Sequence, residues 1–565
     1  MTRRSVVLVL ALATAVVVPF HFLGRHPAGG GTALSMPATH DVAMHFDHMR
    51  AFARGLAAGR PFPRWEEETN KGFGAPSTEF HPPAAYYVTS LVQALVRNWG
   101  LTFLLSHVVL MAGSGLALFA YARRSLSQRG ALVAAAAYLV LPYHLLDLYQ
   151  RGALAELLTF VWMPLAWIAL EELFEIGGSR TGQDWRARIR SVALLAAAVG
   201  ALFWSHPPTG FTFTLVTGVL ALVLAARQHD VAGLGLAALA VVIGLGLAAA
   251  YFYPAVVEQA FVRNDVFRAD WAYADAYVMG PRPAHAPEPF WRVVNATWLV
   301  STLGIFVSAA LLLWRRAELR DELRSRVGLW SLAGGLVSLL MTPLARPLEP
   351  LIPGLAMTSF PWRMLCVATL ALALLTGGLA DAARAGVGGP GYLRLLSGAG
   401  VLVFGGSFLI SAMGVAAPMA GAPAFVPRPE RPTANKYWVV PRWAPEDPRE
   451  LPTLDRATLA RGYGSVVVRR WDPELRELDV QLAAADRLVV RTFDFPGWTA
   501  RLDDRPATIS RGAWGNIELD LPAGRYGVVL ELRGTPARRL GSAISLVALA
   551  AVAALLAASR RRVRA

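Results

Sequence analysis

The sequence predicts a polytopic α-helical membrane protein with a small β-sandwich domain near its C-terminus, on the outer side of the membrane. Three observations predict this class. The 565-residue chain is 55% hydrophobic and only 16% charged, whereas a soluble chain carries about 25% charged residues. Apolar runs long enough to cross a bilayer recur along the chain. One polar segment, at 417–540, has instead the short alternating runs and turn residues of β-strands.

The composition also excludes several kinds of protein. The apolar content excludes an intrinsically disordered chain. The single cysteine, Cys366, excludes a disulfide framework and a CxxC metal site. The net charge of +15 suggests a nucleic-acid partner at first sight. Because the arginines cluster in short segments between apolar runs, we expect no nucleic-acid partner.

We expect about twelve membrane spans, each near the ~20 residues that a bilayer requires. They lie at about 5–23, 101–122, 130–146, 157–174, 191–205, 209–226, 232–253, 296–314, 327–345, 361–381, 395–416 and 541–558. Residues 3–20 also fit a signal peptide. No A-x-A cleavage site stands out there, so an uncleaved first span is the expectation.

The arginines predict how these spans are oriented. If the N-terminus is inside, alternation of the spans puts four further arginine-rich segments inside. These segments are 123–129, 180–190, 315–326 and 560–564. The short outer turns are poor in arginine. Both termini are therefore expected in the cytoplasm.

The apolar segment 84–98 is shorter than the ~20 residues that a membrane span requires. If it crossed the membrane, every later loop would change sides and the arginine clusters would fall outside. We therefore predict a helix that lies at the outer interface.

The chain divides into three predicted parts. Residues 1–416 form the transmembrane domain, with a first outer loop at 24–100. Residues 417–540 form the outer β-rich domain, and 541–565 are the last span and a basic cytoplasmic tail. The strand-like runs of the β-rich domain are SVVVRRW, LDVQLA, RLVVRTFDF, GNIELDL and YGVVLEL. Its Trp498 and Trp514 fit either a glycan-binding surface or the domain's core.

Ionisable residues concentrate in the first outer loop. If 40–57 is helical, Asp41, His45 and His48 lie at i, i+4 and i+7 on one face. Such a face can bind a divalent metal, Mg²⁺ or Mn²⁺, or hold a carboxylate base beside an imidazole. A solvated face of a loop helix explains the same spacing.

A second group of charges follows the third span. Asp147, Arg151 and Glu156 lie within a few residues of one another at the outer boundary, with His144 and Tyr149 beside them. Charges that enter an apolar stretch are costly and tend to be functional. Side chains that extend from the helix end to the interface are the alternative.

Two further outer turns carry single candidates. His206 lies in the tight turn Ser205–Pro208, where a histidine is more often structural than catalytic. Arg363 begins a span in the run FPWR, where it can hold a phosphate or anchor the interface. No Ser-His-acid arrangement, P-loop or GxGxxG stands in a suitable context.

Four stretches of the chain resemble a known group of proteins. They are RGLAAGRPFPRWEEETNKGFGAPSTEFHPPAAYYV, LYQRGALAELL, SFPWRML and the tail FDFPGWTARLDDRPATISRGAWGNIELDLPAGRYGVVLEL. These stretches resemble the bacterial YfhO-like proteins and the membrane proteins labelled as related to 6-pyruvoyl-tetrahydropterin synthase. The order of an acidic first outer loop, an interfacial helix and a second acidic turn resembles the GT-C superfamily. GT-C proteins are membrane glycosyltransferases that use polyprenyl-phosphate-linked sugars.

The resemblance implies roles for individual residues. Asp41 matches the acidic position of the first loop, a general base or metal ligand. Asp147 and Glu156 fall in the second acidic region, without the DxD form of some members. Arg151 and Arg363 would bind the lipid phosphate, and His45, Arg64 and His206 are further candidates for substrate binding.

The implied function is a glycosyltransferase of the bacterial inner membrane with its active site at the outer face. It would transfer a sugar from a polyprenyl-phosphate donor to an envelope glycan, lipid or protein. One alternative is a transporter or flippase of lipid-linked sugars, which would need broken helices or ionisable groups near the midplane. Another is a non-enzymatic envelope scaffold that acts through its β-rich domain.

Overall fold

The computed structural model describes residues 2–22, 36–175, 182–263, 276–284, 286–352, 354–426 and 439–560. Parts of the expectations above lie outside these residues. They are the start of the first outer loop, Arg180 and the last residues of the basic tail.

The described chain up to residue 420 is mostly helical. The longer helices are α1 Arg3–Phe20, α2 Val42–Ala57, α3 Ala84–Val96, α4 Trp99–Ala122, α5 Gln128–Val140, α6 Leu154–Glu175, α7 Gly182–Ser205, α8 Pro207–Gln228, α9 Val231–Val257, α10 Glu288–Trp314, α11 Asp321–Leu340, α12 Leu365–Arg384 and α13 Gly389–Leu409. The last helix, α14, runs over Pro536–Arg560.

The predicted spans are confirmed. Eleven helices in the described part of the chain are long and apolar enough to cross a membrane. A twelfth span is formed if α11 is counted with the 3₁₀ segment Pro343–Leu351, to which it is joined by a bend of 95°. The segment predicted at the interface is the 13-residue helix α3. Its position at the interface stays a prediction.

Local sequence explains where several of these helices begin. The side chains of Ser127 and Asn98 accept hydrogen bonds from the backbone N–H groups of Gly130 and Leu101, which caps α5 and α4. His206 caps α8 in the same way, and Pro207 occupies the first turn, where its missing N–H costs nothing. The local sequence of His206 and Pro207 therefore explains why α8 begins directly after α7.

In the described residues, the arginine-rich segments 123–129, 180–190 and 315–326 form ion pairs at one end of their helices. Arg124 pairs with Glu172 at 2.9 Å, and Arg326 pairs with Glu171 at 2.7 Å. Arg320 pairs with Asp381 at 2.8 Å and Arg188 with Asp230 at 2.7 Å. The acidic turn after α5 and the start of α12 lie at the other ends of their spans. The chain thus separates the two sets of polar segments as the alternation requires, and the membrane side of each stays a prediction.

The C-terminal region contains two antiparallel sheets. The strands are β3 Ala457–Leu459, β4 Gly464–Asp472, β5 Leu475–Leu482, β6 Asp486–Phe493, β7 Trp498–Leu502, β8 Arg505–Ala507, β9 Ser510–Arg511, β10 Asn516–Leu521 and β11 Gly524–Leu532. One sheet has the order β3-β6-β10-β9 and the other β4-β5-β11-β7-β8. All five predicted runs are strands. The sheets share one apolar core, as in a sandwich.

Two short strands join distant parts of the chain. β1, Met36–Pro37, pairs with β2, Ala424–Phe425. This pairing connects the start of the described first outer loop to the segment that follows α13.

The first outer loop is part of the core of the β-region. The side chains of Trp65 and Phe73 are buried among residues of both sheets. The ring of Trp65 meets that of Trp498 edge to face at 5.4 Å between centroids, and Phe493 N–H donates to the carbonyl of Phe73 at 2.9 Å. Trp498 is therefore a core residue, whereas Trp514 is 37% exposed.

A proline in α9 makes a second connection between loop and helices. Pro254 has no N–H, so the carbonyl of Ala250 loses its helical partner. Nη2 of Arg64, in the first outer loop, donates to this carbonyl at 3.2 Å. Ser545 of α14 accepts from the N–H of Ala250 at 2.8 Å. The loop, the proline turn of α9 and the last span are thus held together.

Candidate functional site

A buried ion cluster lies where the chain turns from α5 into α6. After Val140 the helix breaks at Leu141, continues as the single turn Pro142–Leu146 and widens into a π-turn at Asp147–Arg151. π-Turns inside helices are frequent at functional sites. Gly152 ends the turn with φ of +65°, a conformation that suits glycine. A Cβ at this position would lie 2.4 Å from Oγ1 of Thr39.

Arg151 lies between two carboxylates. Its Nη1 donates to Oε2 of Glu156 at 2.5 Å and also to Oδ1 of Asp147. Asp147 and Glu156 have no exposed surface, and Arg151 is only 5% exposed. A buried ion needs partners that satisfy it, so the two acids compensate this guanidinium. The sequence predicted the proximity of these three residues.

Two aromatic side chains complete this arrangement. The hydroxyl of Tyr143 donates to Oε1 of Glu156 at 2.7 Å, and the guanidinium of Arg151 lies 5.0 Å from the ring centroid of Trp362. The sequence interpretation named His144 and Tyr149 rather than these two residues. A spacing of i, i+4 to Asp147 could have pointed to Tyr143.

Arg363 reaches the cluster from the start of α12. Its Nε lies 3.8 Å from Oε2 of Glu156, too far for a hydrogen bond, and has no hydrogen-bond partner among the described residues. Its Nη1 donates to the carbonyl of Thr358 at 3.3 Å. Arg363 therefore retains unused donors.

His206 approaches Glu156 from the turn between α7 and α8. Its Nε2 lies 4.0 Å from Oε2 of Glu156, while its Nδ1 faces Oγ1 of Thr209 at 2.8 Å and the N–H of that residue at 3.4 Å. Burial lowers the pKa of His206 to about 3. The neutral ring accepts at Nδ1, so its hydrogen is on Nε2, directed toward the cluster.

Asp41 is the accessible carboxylate of the group. It immediately precedes α2, and its side chain makes no capping hydrogen bond. Its N–H donates to the carbonyl of Arg151 at 2.9 Å, and the N–H of His40 donates to that of Gln150 at 3.1 Å. The backbone therefore fixes Asp41 on the π-turn. Asp41 is partly exposed, in contrast to the two buried acids.

The expected metal-binding face is not assembled. His45 Nδ1 lies 2.9 Å from the hydroxyl of Tyr86, and His48 Nδ1 lies 3.3 Å from Oε2 of Glu66. Among the described residues, no group of three or more His, Cys, Asp or Glu side chains is arranged to hold a metal ion. Asp41, His45 and His48 thus do not fit a divalent metal, because the two histidines have other neighbours.

Arg64 belongs to a different cluster. Its Nη1 donates to both oxygens of Glu79, at 2.7 and 2.6 Å, and its N–H donates to Glu474 at 2.6 Å. Arg538 at the start of α14 lies 3.3 Å from Glu79 and 2.9 Å from Glu258. Grouping Arg64 with substrate-binding residues is not supported, because its contacts join the first loop to the β-region and to α9.

The profile of a protein family matches residues 78–385, which is more than half of the chain. The family is described as "6-pyruvoyl-tetrahydropterin synthase related domain; membrane protein". The chain belongs to this family. The match to this membrane family spans the π-turn, Glu156, His206 and Arg363, whereas Asp41 precedes it. No curated protein matches the chain.

Two solved structures that the chain matches are named as an oligosaccharyltransferase and an arabinofuranosyltransferase. The apo oligosaccharyltransferase of Archaeoglobus fulgidus has 11% identity and a TM-score of 0.45; the match covers 74% of this chain and 56% of that one. The arabinofuranosyltransferase AftD from Mycobacteria has 15% identity and a TM-score of 0.43, over 74% of this chain and 27% of that one. This chain thus spans little more than half the length of the oligosaccharyltransferase.

A third solved structure is ArnT from Cupriavidus metallidurans bound to undecaprenyl phosphate. It has 14% identity and a TM-score of 0.29, and the match covers 74% of this chain and 89% of that one. At these identities and TM-scores, the three matches do not identify the residues that act in this family member.

Proposed function

We propose that this protein is a membrane glycosyltransferase that transfers a sugar from a polyprenyl-phosphate donor to an acceptor at the outer face. The observation that carries the proposal is the position of one accessible carboxylate, Asp41, whose backbone N–H is bonded to the π-turn that carries the buried Arg151. Arg363 beside it has unused donors. A base and an anion-binding group are the two elements that this transfer needs.

The proposed reaction is a single displacement at the anomeric carbon. The acceptor hydroxyl attacks C1 of the sugar, and its proton passes to the carboxylate of Asp41. The bond between C1 and the phosphate oxygen breaks, and its electron pair leaves with the polyprenyl phosphate. The configuration at C1 is inverted, so no covalent enzyme intermediate is required.

The other cluster residues have supporting roles in this proposal. Arg363 donates to the phosphate through the guanidinium nitrogen Nη2, for which the described residues offer no hydrogen-bond partner; Nη1 bonds the carbonyl of Thr358. Asp147 and Glu156 have no exposed surface, so they position Arg151 rather than contact the substrate. His206 stays neutral and offers its Nε2–H. A phosphate leaving group needs no general acid, which fits a site whose histidine is not protonated. No step requires a metal.

The test measures release of polyprenyl phosphate by protein in detergent, using a panel of labelled polyprenyl-phosphate hexoses and pentoses with membrane extract as acceptor. We expect release by the wild type and a loss of about 10²–10⁴-fold in Asp41→Asn, the usual contribution of a general base. Glu288→Gln is the matched control, because Glu288 is a mostly exposed carboxylate at the start of α10. Equal release by the two variants, or no release by the wild type, would contradict the proposal.

A further inference from the structure

Two buried histidines are in contact where the first span ends. His21 directly follows α1, and His107 lies within α4. Nε2 of His21 and Nδ1 of His107 are 3.3 Å apart, so one ring donates a hydrogen bond to the other. The accepting nitrogen of such a pair is unprotonated, so at least one ring is neutral. His21 has no exposed surface and His107 is 1% exposed.

Neither ring has an acid that would compensate a positive charge. Among the described residues, no carboxylate pairs with His21 or His107. Nδ1 of His21 and Nε2 of His107 also have no hydrogen-bond partner within that part of the chain. Burial lowers the pKa of His21 to about 2, because a charge without a counter-ion is costly in an apolar environment. At neutral pH the pair therefore carries no charge.

The titratable groups that face the pair from other elements do not supply a counter-ion. His45 of α2 faces His107, and its own Nδ1 lies 2.9 Å from the hydroxyl of Tyr86. The carboxylates of Asp41 and Glu66 act on the hydroxyl of Tyr86 and not on the pair. A proton on either ring of the pair would thus meet an imidazole or a phenol instead of an acid.

Phe20 connects the pair to the π-turn of the ion cluster. Its ring centroid lies 5.3 Å from that of His21 and 5.6 Å from that of His107. On its other side it lies 5.1 Å from the ring of Tyr149, which belongs to the π-turn. The hydroxyl of Tyr149 donates to the carbonyl of Val16 in α1 at 2.6 Å. The end of α1 therefore packs directly on the turn that carries the cluster.

We propose that the contact between His21 and His107 is acid-sensitive, and that it holds the end of α1 against the π-turn only while both rings are neutral. When this region opens, the rings reach water and can bind protons, which the closed form disfavours. The stability that His21 gives to the closed form is complete above about pH 6.5 and is lost as the pH falls toward 2. Since the π-turn also bonds the backbone of Asp41, acid loosens the surroundings of that carboxylate.

The experiment measures hydrogen exchange rather than turnover, so its outcome is independent of the transferase proposal. Full-length protein in nanodiscs is exchanged at pH 7.5 and at pH 5.0, and the rates are corrected for the intrinsic pH dependence of amide exchange. Peptides that cover residues 16–22 and 146–153 report the end of α1 and the π-turn. Their opening equilibrium constant should rise roughly 30-fold at the lower pH for each histidine that is released to water.

Two variants remove the protonation without removing the polar contact. His21→Gln places an amide near the position of Nε2, and His107→Asn places one near the position of Nδ1. Each variant should reduce the acid-induced rise in opening of both peptides by about 30-fold. His229→Gln is the matched control, because His229 is exposed at the end of α8, and it should leave the rise unchanged.

The comparison uses the ratio of opening at the two pH values within each protein, so a uniform loss of stability does not imitate the expected effect. Equal ratios in the wild type, His21→Gln and His107→Asn would overturn the inference. Opening by acid that is confined to residues 16–22 would also overturn it, since the pair would then have no influence on the π-turn.

Discussion

Nη1 of Arg151 lies 2.5 Å from Oε2 of Glu156, and both side chains are buried inside the helical bundle. The same guanidinium also binds Asp147, so two acids share one cation. Every other feature of the candidate site is arranged around this pair. The first prediction concerns what this pair contributes to the stability of the fold rather than to catalysis.

Arg151→Met should destabilise the protein by about 3–5 kcal/mol, because it leaves two buried carboxylates without their cation. The measurement is unfolding in mixed detergent micelles, followed by tryptophan fluorescence. Arg292→Met is the control, since Arg292 pairs with Glu288 on an exposed helix face and such pairs contribute little. A similar loss in both variants would show that burial of the cluster is not what makes Arg151 important.

Arg363→Gln should weaken binding of polyprenyl phosphate at least ten-fold with little change in melting temperature. Among the described residues, Arg363 donates a single hydrogen bond, to the carbonyl of Thr358, so its loss removes few internal contacts. Arg363→Lys should recover only part of the affinity, because an ammonium lacks the planar fork of donors. Binding is measured by microscale thermophoresis with the lipid phosphate alone.

Arg282→Gln is the control for that measurement, as Arg282 is exposed and also donates to a backbone carbonyl, that of Ala286. Unchanged affinity in Arg363→Gln would remove Arg363 from the phosphate site.

His206→Asn should reduce the acid sensitivity of the fold. Burial lowers the pKa of His206 from 6.5 to about 3, so the unfolded chain binds a proton between these pH values and the folded chain does not. Stability from this residue is complete above about pH 6.5 and is lost as the pH falls toward 3. The melting temperature of the wild type should therefore fall more between pH 7.5 and 5 than that of the variant.

Asparagine is the appropriate replacement, because its side-chain oxygen can still accept from the N–H of Thr209 and cap α8. Other buried histidines titrate equally in both proteins, so the difference isolates His206. Parallel curves would mean that His206 does not carry this pH dependence.

Trp65→Ala should destabilise the β-region although Trp65 lies in the first outer loop. The side chain is 1% exposed and packs in the core of both sheets, and loss of a buried tryptophan costs about 3–5 kcal/mol. Hydrogen exchange of β6 and β10 reports the change. Trp514→Ala, at an exposed tryptophan of the same region, should leave exchange of these strands unaltered. Equal hydrogen exchange of these strands in the two variants would show that Trp65 does not stabilise the β-region.

Patterns within one segment predicted most of the fold. Apolar runs gave the spans, because the bilayer imposes a length on each one. Alternation and turn residues gave five strands, although β3 and β7–β9 are too short or too polar for that signal. The arginine clusters separated the two ends of the bundle correctly, as the pairs of Arg124 and Arg326 confirm.

Contacts between distant segments were harder to predict. Asp147, Arg151 and Glu156 are neighbours along the chain, so their cluster followed from the sequence, and Arg363 and His206 stood at turns on the same side. In the first loop, Arg64 contacts Glu79, His45 contacts Tyr86 and His48 contacts Glu66. The spacing of residues along one helix gives no information about such partners. The sequence offered one signal that this loop is buried, namely two large aromatic residues in a polar segment, Trp65 and Phe73.

The packing of the first loop against the β-region has a consequence for biosynthesis. Arg60 and its partner Glu531 are 471 residues apart. At about 5–20 residues per second, the ribosome needs roughly 25–95 seconds to make the intervening chain. During this time the loop that carries Asp41 and Trp65 has been translated, while the strands and the last helix that complete its surroundings have not. The first loop of a nascent chain therefore lacks its β-region and last-helix contacts until the end of synthesis, and a chain that ends early leaves this loop without them.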